Sequence, residues 1–150
     1  MKKKVLVAVL CIIIAVPILF YWYSTSKDAY KKDMDAIQEM MERLPDKIIG
    51  ALDSDFRAGI EDIRVITKEG KEFKKIYLHL IDLNMELDRL GRNSYGVSYP
   101  ATSELRVAEI DVEMEQYLEK LYNCIEDFID AAEDADVGEY KLDRFVDYIY

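Results

Sequence analysis

From Val5 to Tyr23 the chain runs nineteen residues without a charge, Val-Leu-Val-Ala-Val-Leu-Cys-Ile-Ile-Ile-Ala-Val-Pro-Ile-Leu-Phe-Tyr-Trp-Tyr. A helix rises about 1.5 Å per residue, so this run spans roughly 28 Å, near the roughly 30 Å hydrocarbon thickness of a bilayer. Lys2, Lys3 and Lys4 precede it, and Tyr21, Trp22 and Tyr23 close it with rings suited to the headgroup layer. These features predict a single signal-anchor helix over residues 1–23, its basic tail inside the cell. Residues 24–150 then lie outside the cytoplasmic membrane. The competing reading is a cleaved secretory signal, with Pro17 breaking the helix ahead of a cut near Ser24 and Ser26. Signal cores usually hold about 7–15 apolar residues, fewer than are found here, so a retained anchor is the expectation. Lys27, Lys31 and Lys32 lie beyond the run and blur the charge asymmetry that sets orientation.

Beyond the anchor 127 residues remain, enough for one modest core. Their charge is uneven: residues 24–100 carry 13 Lys and Arg against 15 Asp and Glu, whereas residues 101–150 carry 4 against 15, a net −11. Nucleic acid is excluded as a partner by repulsion from its phosphates, and the exported part reads as a poor ligand for anionic headgroups. A basic protein partner fits. Cys11 lies in the membrane run and Cys124 in a late helical pattern, so there is no disulfide framework.

The rest of the chain reads as all-α. Tyr30, Met34, Ile37, Met41 and Leu44 recur at alternating steps of four and three, predicting a helix over about 27–44 that continues the membrane helix as a stalk. After Pro45 the pattern resumes and predicts one long helix over 46–90, with Gly70 as the point where a turn would fall and Gly91 as its C-cap. Residues 91–103 are rich in turn formers and form the main loop. Ile110, Met114, Tyr117, Leu121, Cys124, Phe128 and Ala131 then carry a helix over 103–134, capped at Thr102 or Ser103. Leu118, Ile125 and Ala132 widen its apolar face toward what a bundle needs. A break at Asp136, Val137 and Gly138 precedes a short helix over 139–150. The two arms match in length, about 68 Å against 66 Å. The expected architecture is therefore a transmembrane helix followed by an elongated antiparallel helical hairpin or bundle.

No residue pattern points to catalysis. There is no phosphate-binding glycine loop, nucleophile elbow, paired-histidine motif or metal-type Cys/His spacing, and no cofactor is expected. His79 reads as structural, and Cys124 as a buried inert thiol. The acidic cluster from Glu126 to Asp136 fails as a calcium loop, because Ala135 and Val137 fall where oxygen ligands belong. Lys141 and Arg144 are expected to offset it. The column Glu115, Glu119, Glu126 and Glu133 is a candidate contact for a basic partner, or else pairs with Lys68, Lys71, Lys74 and Lys75 of the opposing arm. Tyr95 and Tyr99 in the loop, with Tyr148 and Tyr150 at the end, are the candidate aromatic contacts.

The layout of basic tail, single membrane helix and exported helical region resembles that of bacterial cell-division coiled-coil proteins and phage inner-membrane spanins, a resemblance that no motif carries. The expected function is a membrane-anchored, non-catalytic interaction or scaffold protein that meets the bilayer through Val5 to Tyr23. The alternative is a ligand-sensing or immunity-type bundle that captures a small molecule or a basic toxin. The same stripes can pair within a chain or between chains, so a homo-oligomer fits the pattern as well as a monomer.

Overall fold

The computed structural model describes the backbone of residues 2–43, 52–92 and 101–149, and the side chains of 12–43, 52–90 and 104–149. These residues form six helices and no strand: α1 (Lys2–Ser24), α2 (Lys27–Glu42), α3 (Ser54–Glu61), α4 (Lys68–Arg92), α5 (Ala101–Asp134) and α6 (Glu139–Ile149). The all-α expectation holds. Among the described residues no helix is long and apolar enough to cross a membrane. The large apolar side chains of α1 from Ile12 to Tyr23 are between 43% and 73% exposed, so the body leaves that helix largely uncovered. Pro17 does not break α1.

The continuous stalk is not what forms. α1 stops at Ser24 because three successive hydroxyls turn back on its last carbonyls: Ser24 Oγ and Thr25 Oγ1 donate to Tyr21 O at 2.9 and 3.1 Å, and Ser26 Oγ to Tyr23 O at 2.7 Å. Ser26 then serves as N-cap of α2, accepting from the Ala29 amide.

The single arm over 46–90 is also replaced, by a short hairpin. Asp53 caps α3 by accepting from the Asp55 and Phe56 amides, and the chain breaks between Asp62 and Thr67, ahead of Gly70. α3 folds back antiparallel to α4, since Arg57 meets Asp82 at 2.5 Å while the Lys74 ammonium donates to the Glu61 and Ile63 carbonyls. Capping of α4 comes from another helix. The wholly buried Asp33 of α2 accepts from the Ile66 amide at 2.9 Å, the Thr67 amide at 2.7 Å and the Thr67 hydroxyl at 2.6 Å. Thr67 Oγ1 in turn accepts from the Gly70 amide at 3.0 Å. Gly70 therefore lies inside the first turn of α4 at its closest approach to α2. A Cβ there would overlap Asp33 Oδ2 and come within 2.9 Å of Thr67 Oγ1. Gly70→Ala is expected to cost about 1–3 kcal/mol in chemical denaturation, although alanine is the better helix former.

α4 and α5 form the antiparallel hairpin that the stripes predict. Glu86 lies against Arg106, His79 against Glu113, and Glu69 against Cys124, so paired positions sum to nearly the same number along the hairpin. α4 runs through Gly91 to Arg92, and α5 opens at Ala101, ahead of the expected caps. α2 lies parallel to α4, with Tyr30 bonded to Glu69 and Tyr77 to the Met40 carbonyl. α6 returns across α2 and α5 through Phe145, whose ring is 5.6 Å from that of Phe128. Asp136 and Gly138, both at positive φ, turn the chain between α5 and α6. The core gathers Tyr30, Met34, Ile37, Phe73, Ile125 and Phe128. Farther out, among the described residues, α4 and α5 face each other across a narrow seam that buries Leu83 and Ile110.

The kink at Pro45 and the contacts assigned to Tyr95, Tyr99 and Tyr150 fall outside the described residues.

Candidate functional site

The outer face of α5 is the surface on which candidate contacts converge. Glu115, Glu119, Glu126 and Glu133 are all exposed and fall within a narrow arc at 100° per residue, a column about 27 Å long. The expected pairing of this column with α4 lysines does not form. Lys74 is committed to the end of α3, Lys75 lies 3.5 Å from Glu72 of its own helix, and Lys71 stands over the Phe20 ring of α1. The α4–α5 ion pairs use other residues. Arg106 grips both oxygens of Glu86 at 2.8 and 2.9 Å and reaches Glu109 at 3.3 Å; its hydrogen bond holds the Glu86 carboxyl below its ordinary value. His79 Nε2 lies 2.9 Å from Glu113, with its ring 4.0 Å from that of Tyr117. The column is thus left facing solvent.

Two exposed apolar residues, Leu105 at 64% and Val112 at 56%, continue the same arc toward the distal end of α5. With Val107 and Ile110 they hint in the sequence at strand alternation near the start of this segment, but the segment is helical and they sit off the 4-3 stripe that organises it. Their i, i+7 spacing was the available signal. Tyr122 is exposed between the two halves of the acidic column.

At the other end of α5 the acidic cluster is only partly offset. Lys27 approaches Asp136 at 3.8 Å. Lys141 does not serve it, bonding instead to both oxygens of Asp35 at 2.8 and 3.0 Å, and Arg144 lies 6.0 Å from the Tyr140 ring centre. Tyr140 and Tyr148 are exposed on α6 beside a cleft of about 330 Å³ shared with Met34, Gln38 and Phe145 of α2 and α6. Among the described residues no group of three His, Cys, Asp or Glu side chains is placed to hold a metal ion.

Cys124 is buried, its Sγ 3.5 Å from the Glu69 carbonyl. Burial, with the Glu72, Asp127 and Glu69 charges, pushes the thiol up to about 11. Because the folded value lies above the unfolded one near 8.5, the thiol's contribution to stability is intact below that value and is lost as pH rises toward 11. Thermal melts should therefore decline across that window, and Cys124→Ala should show the smaller decline. A parallel decline in both proteins would contradict the assignment.

Compared with known protein families, curated proteins and solved structures, the chain matches none.

Proposed function

We propose that this chain is a membrane-anchored, non-catalytic interaction protein that presents the acidic face of α5 to a basic protein partner outside the cytoplasmic membrane. One observation carries the reading: from Ile12 to Tyr23 the apolar side chains of α1 are exposed around the helix, within an uncharged run that begins at Val5. A helix that is apolar on every side is stable only where something apolar surrounds it. A bilayer meets that need along the whole run, and the aromatic close at Tyr21, Trp22 and Tyr23 suits its surface. The second support is the unpaired column of glutamates on α5, which leaves negative charge available to an incoming cation-rich surface. Exposed apolar side chains at Leu105 and Val112 lie beside that charge and supply contact area.

A photo-crosslinking residue placed at Glu119 of the full chain in cells tests the partner. Adducts to protein are expected there and at Glu126, weakening when the cells are lysed into high salt before irradiation, because an exposed charge pairing is screened. The same residue placed at Ser54, exposed on α3, should give none. Equal labelling at all three positions, or none at Glu119, would contradict the reading.

A further inference from the structure

Net charge makes this body look unsuited to an anionic surface, yet its charge is sorted around the mouth of α1. Lys71, in the first turn of α4, holds its ammonium 5.6 Å from the centre of the Phe20 ring. Lys32 of α2 bonds the Tyr23 hydroxyl at 3.3 Å and lies 5.9 Å from that ring's centre. Arg64, exposed in the α3–α4 connection, shares one cleft with Lys32 and another with Lys71, and so links the two cations that touch α1. Asp62 lines both clefts, Asp35 and Glu39 the first and Glu61 the second; Asp35 is held by Lys141 at 2.8 Å, Glu39 by Arg43 at 2.6 Å and Glu61 by Arg57 at 2.7 Å. The acidic end of α5 lies across α4 from Lys71, where Asp127, Asp130 and Asp134 line a different cleft with Glu69 and Glu72.

Phe20 sits three residues inside Tyr23, about 4.5 Å along the helix. A cation resting on Phe20 is therefore at or below the level of the aromatic close. We propose that Lys32, Arg64 and Lys71 form a basic collar lying in the headgroup layer and binding anionic phospholipid. The inference rests on the anchoring reading above. The occupant is a lipid surface because the collar is continuous with the apolar helix and meets it through its rings. Bound in this way, the collar fixes the side of the body turned to the membrane.

The test uses the full chain floated with vesicles of phosphatidylcholine alone or with one third phosphatidylglycerol, acetylated with an uncharged reagent and read lysine by lysine by mass spectrometry. An anionic surface potential of roughly −30 mV raises local proton activity about threefold and lowers free amine by the same factor. Lys32 and Lys71 should therefore react about threefold more slowly in the anionic vesicles, and 1 M salt should restore them. The lysine of a Leu105→Lys variant should not change, because Leu105, exposed on α5, lies fifteen residues, about 22 Å, beyond Lys120, which shares a cleft with Lys71, and so stands outside the roughly 10 Å reach of that potential. Lys32 and Lys71 behaving like the lysine of Leu105→Lys in a chain that floats would overturn the collar and leave the anchor standing. Protection that survives 1 M salt would overturn its electrostatic basis. A chain that floats with neither vesicle would overturn both.

Discussion

Asp33→Ala is expected to destabilise the fold by about 3 kcal/mol or more, lowering the urea midpoint by about 1–2 M at typical slopes. The buried carboxylate is the acceptor for two backbone amides and one hydroxyl at the start of α4. Alanine leaves all three donors in the interior, each costing about 1–3 kcal/mol if unmet. Against a total stability of about 5–15 kcal/mol this is a large fraction. Asp33→Asn should recover only part of the loss, because its amide nitrogen meets a donor wherever it turns. Burial raises the Asp33 carboxyl above its ordinary value, against the opposing hydrogen bonds from Thr67 and Ile66 and the field of Lys71. The folded value thus exceeds the unfolded one, and the side chain's contribution is greatest below about 3.9 and shrinks as pH rises through the folded value. Variant and wild type should therefore differ most at the acid end of a denaturation series, and a gap that widens toward neutral pH would contradict this assignment.

Phe128→Ala is expected to cost about 3–5 kcal/mol. The Phe128 ring is almost wholly buried, 5.5 Å from that of Tyr30 and 5.6 Å from that of Phe145, and so joins α2, α5 and α6. Its loss opens a cavity where three helices meet. Tyr122→Ala, on the exposed side of the same helix, should stay within about 0.5 kcal/mol. Comparable losses at the two positions would mean that α5 does not bury the face assigned to it.

The periodic parts of this fold were legible in advance. Ile110, Cys124 and Phe128 are buried where the 4-3 stripe puts them, and the α4–α5 pairing follows from two apolar faces joined by a turn-rich segment. The failures lie where polar side chains override periodicity. Ser24, Thr25 and Ser26 end α1 without a glycine or proline, and no stripe marks such a stop. Asp33 falls between Tyr30 and Met34 on the buried side of α2, and its partners lie 33 and 34 residues away, so local pattern gives no hint that a carboxylate belongs there. Gly70 lies within a helix as the favoured reading had it, but the break falls just ahead of it, and its lack of a side chain is what lets α4 approach α2. On the candidate site, the exposure of the α5 glutamates was legible from their spacing. Which lysines would face them was not, because α3 folding back on α4 claims Lys74 and α1 draws Lys71 away.

The central claim is that α1 holds the chain in a bilayer, and alkaline carbonate extraction followed by mass measurement of the chain from native membranes tests it most directly. The account predicts that the chain stays in the membrane pellet at its full 17.5 kDa, with residues 1–23 attached. Recovery in the supernatant, or a shorter mass with an amino terminus near Lys27, would contradict it.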